Sequence, residues 1–118
     1  YDKAIDCDNQ KLNYKLREDN LLTETKRWVL VAPPGSSTSL LLAKAANIQQ
    51  ISRVGDQTGG RVFLFLETDN ISRDIASMKA VGINFIREPV QETWGTVAVF
   101  EDLYGNLWDL IERNAIWV

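Results

Sequence analysis

Apolar residues in the second half of the chain follow first a strand-like, then a helical and again a strand-like spacing. The pattern predicts a strand, a helix and three further strands, at residues 61–69, 70–82, 83–88, 95–101 and 106–112. The helix has Ile71, Ile75 and Met78 on one face, and Gly82 ends it. The predicted order of this half is therefore β-α-β-β-β.

The first half predicts the same order without its opening strand. A helix is expected first, then three strands, at residues 1–12, 14–19, 27–34 and 39–45. The strand "RWVLVAPP" is rich in Trp and Val and is stopped by two prolines. Residues 46–60 are polar and interrupted by glycine, which indicates a linker or a loop beside a cavity.

The two halves also share short motifs. Arg17-Glu18 and Arg87-Glu88 lie seventy residues apart, and each pair falls on the first strand after a predicted helix. Similarity at a fixed offset indicates duplicated units. If the repeat is real, a strand should precede Tyr1, and its absence would leave a sheet edge unpaired. We expect that another chain fills this position, or that the residues have been removed from the chain.

Composition narrows the possible functions. A chain of 118 residues favours one domain, and a net charge of −3 without a basic run disfavours nucleic acid as a partner. Apolar runs such as "VFLFL" are too short to cross a membrane. The single cysteine, Cys7, indicates a reducing, cytoplasmic setting.

Histidine is absent from the sequence. This removes histidine general bases, histidine-activated nucleophiles and the commonest zinc ligand. Any catalysis would have to use carboxylates, Lys, Tyr, Cys or a cofactor.

The last predicted strand, "NLWDLIE", contains two acids. Residues three apart on a strand point to opposite faces, so only Asp109 shares a face with Leu107 and Ile111, and Glu112 does not. Asp109 could be a metal ligand, a ligand-binding group or an acid on the water-exposed side of a sheet.

The segments "FLFLETDNI", "KAVGINFIREP" and "WGTVAVFEDLYGNLWDLIE" resemble the vicinal oxygen chelate superfamily, the group of glyoxalase I, bleomycin-resistance proteins and extradiol dioxygenases. The resemblance implies an α+β fold in which two βαβββ modules form a curved mixed sheet around a cavity, with the first strand of module 1 absent from the chain. Module 1 would cover about 1–46, a linker 47–60 and module 2 residues 61–118, as a single domain. The resemblance also implies a homodimer, in which strand exchange could occur.

Metal-using members of this superfamily hold a divalent ion with four side chains, two from each module. Carried over to this chain, one position falls before Tyr1, one within the acid-free residues 39–43, one at Phe63 and one at Asp109. One carboxylate beside Phe63 and Leu41 is a poor donor set for a hard or a soft cation. We therefore expect no bound metal or other cofactor, with Asp109 as the weak candidate ligand.

A cavity lined by aromatic and aliphatic side chains suits a small apolar or aromatic molecule. The residues expected to line it are Leu41, Phe63, Phe65, Glu67, Trp94 and Asp109. Each of the aromatic residues could instead be ordinary packing. Arg17 and Arg87 could bind a carboxylate or phosphate, or could be solvated or paired with neighbouring Glu.

Three functions remain open. The first is a small-molecule-binding protein without a complete metal site. The second is a metal-dependent lyase or dioxygenase whose ligands are completed by a missing N-terminal strand or a partner chain. The third is a dimeric interaction module without a ligand. The fold alone does not choose between them, because this superfamily includes several chemistries.

Overall fold

A computed structural model describes residues 1–7, 11–12 and 14–114. The chain divides into two units, Tyr1–Ile51 and Ser52–Val118. The first unit contains α1 (Asp2–Asp6), β1 (Lys15–Leu21), β2 (Arg27–Ala32) and β3 (Leu40–Leu42), and α2 (Ile48–Arg53) spans the boundary between the units. The second unit contains β4 (Leu64–Glu67), α3 (Ile71–Ala80), β5 (Phe85–Glu92), β6 (Gly95–Glu101) and β7 (Leu107–Arg113). The α+β class and the repeated order of elements are confirmed.

The first unit is an antiparallel three-stranded sheet in the order β1-β2-β3. Alternation along β2 buries Val29 and Val31, while Trp28 on the other face is 42% exposed. The side chain of Arg27 joins β2 to α1, because it donates to Asp2 Oδ1 at 2.8 Å and lies over the ring of Tyr1. These contacts hold the helix on the end of the sheet.

The second unit is a mixed four-stranded sheet in the order β4-β7-β6-β5. Strands β4 and β7 are parallel, and the other two pairs are antiparallel. Helix α3 connects β4 to β5 and buries Ile71, Ile75 and Met78, as the spacing of these residues predicts. Asn70 begins the helix by accepting a hydrogen bond from the backbone amide of Arg73.

One face of the second sheet forms the core of this unit. Phe100 is fully buried, and its ring centroid lies 5.7 Å from those of Phe85 and Trp108. Leu110 on β7 is 1% exposed and has the same orientation as Trp108. Burying these large apolar side chains stabilises this unit.

The sequence predicted most of these elements, and some limits need correction. The strand at 95–101 is confirmed as β6, and the predicted helix at 70–82 contains α3. The helix predicted at 1–12 begins with α1, and Cys7 continues it in a helical conformation; residues 8–10 of the predicted range lie outside the described part of the chain. Strand β5 extends four residues beyond the predicted end at 88, to Glu92.

Two further differences concern short elements. The predicted linker at 47–60 begins with helix α2, which was not expected from its polar composition. Strands β3 and β4 have three and four residues, shorter than the predicted 39–45 and 61–69. None of the helices in the described part of the chain is long and apolar enough to span a membrane.

Candidate functional site

The turn before β7 is fixed by a single carboxylate. Asp102 accepts hydrogen bonds from the backbone amides of Tyr104 and Asn106, each at 3.0 Å, and from the indole nitrogen of Trp108 at 3.2 Å. Gly105 completes the turn with a φ of 95°, which favours glycine. This turn sets the register of β7 and thereby the face on which Asp109 lies.

Asp109 lies in a row of four residues, one from each strand of the second sheet. Its Cα partner on β4 is Phe65, its partner on β6 is Val99, and the partner of Val99 on β5 is Arg87. Paired residues on neighbouring strands point to the same face. We call these four residues the Asp109 row, and the sheet face that carries them the Asp109 face.

Arg87 reaches this face because β5 is irregular on both sides of it. Phe85 pairs with Phe100 and Arg87 with Val99, so two steps along β5 match one step along β6. This bulge reverses the alternation, and Phe85 packs in the core while Arg87 points to the opposite face. A second irregularity follows before Val90 and includes Pro89, which has no amide hydrogen to donate.

The carboxylate of Asp109 is partly removed from water. Its Oδ1 atom is buried and accepts no hydrogen bond from any described residue. Burial raises the pKa of Asp109 above its ordinary value, and the positive charge of Arg87 offsets part of this increase. The neighbours Val97, Val99 and Ile111 on the same face are buried and apolar, which explains the desolvation.

The two predicted phenylalanines differ in their relation to Asp109. Phe65 is its direct partner and is 62% exposed, an unusual exposure for an aromatic ring. Phe63 precedes β4, and its amide donates to the carbonyl of Leu107 at 2.7 Å. Of the two rings, Phe65 is therefore the one placed beside the carboxylate.

Glu67 lies on the Asp109 face two residues beyond Phe65. Its Oε1 atom accepts a hydrogen bond from Nε of Arg113 at 2.8 Å, and both side chains are exposed. The acid predicted at the rim of a cavity is thus half of a surface ion pair across β4 and β7.

Trp94 lies in the two-residue turn between β5 and β6. Its carbonyl accepts from the amide of Asn114 at 2.9 Å, which ties the turn to the end of β7. The residue after it, Gly95, pairs with Arg113, four positions along β6 from Val99. Four residues of a strand span about 13 Å, so the turn is well separated from the Asp109 row.

Leu41 belongs to the first unit, where the sheet has a comparable row. Leu41 pairs with Leu30, which pairs with Glu18, and a bulge between Leu16 and Glu18 precedes the row. The bulge makes Glu18–Leu30–Leu41 the counterpart of Arg87–Val99–Asp109 in the other sheet. Leu41 therefore occupies the position that corresponds to Asp109, and it is 50% exposed.

Arg17 lies within this bulge. Its side chain donates to the hydroxyl of Ser39 and to the carbonyl of Ser36 rather than to a Glu.

The donor set beside Asp109 does not fit a divalent ion. Phe65 and Val99 flank it on the two neighbouring strands, and neither can coordinate a metal. The nearest charged residue in the row is the cation Arg87. In the described ranges, which leave out 8–10, 13 and 115–118, no three His, Cys, Asp or Glu residues are grouped to hold a metal ion.

Arg87 and Val99 are members of the row that sequence reasoning did not place in the site. In the sequence, Val99 is not distinguishable from the other apolar residues that alternate along β6. Arg87 was considered as a binding residue, but regular alternation from Phe85 would place it on the core face. Pro89 inside the strand was the signal of an irregularity, because proline within a sheet is confined to edges and bulges.

Comparison with known proteins agrees with this architecture. The family model of the Glyoxalase/Bleomycin resistance protein/Dioxygenase superfamily matches residues 1–110. An uncharacterized protein of Shewanella frigidimarina (strain NCIMB 400) is 55% identical over 116 residues, which cover 97% of this chain and 86% of that protein. The chain belongs to the Glyoxalase/Bleomycin resistance protein/Dioxygenase superfamily.

Two solved structures are particularly similar. The crystal structure of UcmS2 has a TM-score of 0.81 and 25% identity, and the match covers 93% of this chain and 87% of that one. The crystal structure of TnmS3, an antibiotic binding protein from Streptomyces sp. CB03234, has a TM-score of 0.76 and 28% identity, covering 96% of this chain and 86% of that one. The recognised superfamily and its fold are thus confirmed.

Proposed function

We propose that this chain is a small-molecule-binding protein that takes an apolar or aromatic compound on the Asp109 face of its second sheet. The observation that carries the proposal is the buried Oδ1 atom of Asp109, which accepts no hydrogen bond from a described residue. A buried acceptor without a partner costs about 1–3 kcal/mol. A ligand that donates a hydrogen bond would remove this cost.

The surroundings of Asp109 support the same function. Buried Val97, Val99 and Ile111 give the face an apolar character, and exposed Phe65 offers a ring surface next to the carboxylate. Binding sites for small molecules commonly combine such an apolar lining with a few polar groups that orient the ligand. The similar protein TnmS3 is an antibiotic binding protein, which supports the proposed binding role.

We further propose that binding does not require a metal held by this chain. Support comes from the side chains on either side of Asp109. Phe65 and Val99 are hydrocarbon, and the next residue in the row, Arg87, is a cation. The metal-dependent lyase or dioxygenase remains the alternative, and it would need ligands from outside the described residues.

Two accompanying expectations also remain predictions. The homodimer is expected from the family resemblance, and light scattering of the purified protein would test it. The cytoplasmic location is expected from the single cysteine, and fractionation of cells that make the protein would test it.

Calorimetric titration with a panel of planar aromatic and apolar compounds tests the binding function. We expect at least one compound to bind the full chain, and Asp109→Ala to weaken that binding by about tenfold. The matched control is Asp69→Ala. The side chain of Asp69 is 88% exposed and lies just before α3, which packs on the sheet face opposite to Asp109. If no compound in a broad panel binds, the chain is better described as an interaction module.

A further inference from the structure

Oδ1 of Asp109 and the guanidinium of Arg87 form no hydrogen bond with another described residue, and the charge of Arg87 acts on Asp109 electrostatically. Oδ1 of Asp109 is buried and accepts no hydrogen bond. Arg87 is exposed, and its side chain forms no hydrogen bond or ion pair with another described residue. An ionised carboxylate only accepts hydrogen bonds, and a guanidinium only donates them. A ligand lying across β6 would meet an acceptor at one end and a donor at the other.

The residue between these two groups is apolar. Val99 separates them on β6 and is only 7% exposed. Asp109 and Arg87 are two strand spacings apart, about 10 Å between Cα atoms. On the other side of Asp109, Phe65 is 62% exposed and offers the edge or face of its ring. A ligand that fits this order is flat and apolar in its middle and polar at both ends.

We propose that the ligand is a planar aromatic compound with a hydroxyl group that donates to Asp109 and a carboxylate or carbonyl oxygen that accepts from Arg87. This inference rests on the binding function proposed above and names its ligand class. The orientation is fixed, since a ligand carboxylate beside Asp109 would meet a like charge. The rigid aromatic framework keeps the two groups apart and costs little conformational entropy on binding.

Three naphthalene compounds test this ligand class on the full chain. 6-Hydroxy-2-naphthoate has both polar groups, 2-naphthoate lacks the hydroxyl group, and 2-naphthol lacks the carboxylate. We expect isothermal titration to give 6-hydroxy-2-naphthoate a Kd about tenfold lower than that of either other compound. Each missing group should remove one charge-assisted hydrogen bond.

Substitutions assign each preference to one residue. Arg87→Gln should abolish the advantage of 6-hydroxy-2-naphthoate over 2-naphthol and keep its advantage over 2-naphthoate. Asp109→Ala should abolish the advantage of 6-hydroxy-2-naphthoate over 2-naphthoate and keep its advantage over 2-naphthol. The isosteric Asp109→Asn replaces it if the alanine variant does not fold. Arg73→Gln and Asp69→Ala are matched controls, because both residues are exposed and pair with each other at α3. Both ratios should be unchanged in these controls.

The outcomes separate the ligand class from the binding function. If all three compounds bind equally and Phe65→Ala weakens them all, the face binds aromatic compounds but the assigned polar groups are wrong. If none of the three binds, the ligand class is also overturned, and the broader panel then decides the binding function. If the control variants lost the preference for 6-hydroxy-2-naphthoate over the other two compounds as fully as the Arg87 and Asp109 variants do, the roles given to Arg87 and Asp109 would be contradicted.

Discussion

Oε1 of Glu112 on β7 accepts a hydrogen bond of 2.9 Å from the backbone amide of Ile71, the first residue of α3. Glu112 thus satisfies one of the amides that a helix N-terminus leaves without a partner. Asp109 lies three residues earlier on the same strand and points to the opposite face. The two acids of "WDLIE" therefore have separate roles, one in joining the helix to the sheet and one in the candidate site.

Replacing Glu112 should destabilise the fold. We expect Glu112→Ala to lower the free energy of unfolding by about 1 kcal/mol, because it removes an acceptor and a negative charge at the helix N-terminus. Glu112→Gln should lose less, since it keeps an acceptor oxygen. Urea denaturation measures the effect, with exposed Glu92→Ala as the control. Equal stability of the alanine variant and the wild type would contradict the capping role.

The sequence was most informative where the hydrophobic pattern is regular. The residues that α3 buries are those that its spacing placed on one face, and β6 has its predicted limits. The face of Asp109 was also predicted, because β7 is regular between its partners β4 and β6. In these elements each local preference agrees with the tertiary packing.

The pattern failed where the backbone departs from regular alternation. A bulge adds one residue to a strand and reverses the faces of all that follow, and it depends on pairing with another strand. The core packing of Phe85 therefore gave no indication that Arg87 shares a face with Asp109. The short helix α2 was missed for a related reason, since its Ile48 and Ile51 are exposed and give no buried stripe.

The buried carboxylate should make stability depend on pH. The pKa of Asp109 is raised above its ordinary value of 3.8, so the folded state holds this proton more tightly than the unfolded state. The free energy of unfolding should therefore fall as pH rises from 3.8 through the raised pKa, and the loss should persist above it. Asp109→Asn removes this penalty. We expect the variant to be more stable than the wild type at pH 7, by an amount that shrinks toward pH 3.8.

Urea denaturation across this pH range measures the difference between the two proteins. Asp69→Asn is the control, because the side chain of Asp69 is 88% exposed. A stability gain for Asp109→Asn that stays constant with pH would mean that burial of the charge is not its cause.

Metal content tests the donor set beside Asp109. We expect full-chain protein equilibrated with Zn²⁺, Ni²⁺ or Mn²⁺ and then dialysed to retain no stoichiometric metal, because hydrocarbon flanks the carboxylate on both neighbouring strands. Elemental analysis of the wild type and of Asp109→Ala measures this. Metal bound at one ion per chain and lost on Asp109→Ala would favour the metal-dependent alternative.

Gly55 is predicted to be intolerant of any side chain. A Cβ atom there would lie 2.0 Å from the carbonyl oxygen of Tyr104, and the φ of +82° already disfavours other residues. Gly60 is a matched control, since its φ is +99° but a Cβ would meet nothing within 4 Å. We expect Gly55→Ala to cost about 2 kcal/mol more in unfolding free energy than Gly60→Ala. Similar losses in urea denaturation would indicate that the turn before β7 moves to make room.

Trp94 should matter only to long ligands. Its turn lies four residues along β6 from Val99, about 13 Å, so a short compound held at the Asp109 row does not reach it. We expect Trp94→Ala to weaken compounds longer than this distance by about tenfold, through loss of stacking, and to leave naphthalene compounds unaffected. Isothermal titration with a short and a long member of one aromatic series measures the difference. Equal weakening of both would mean that the indole folds back along the sheet toward Asp109.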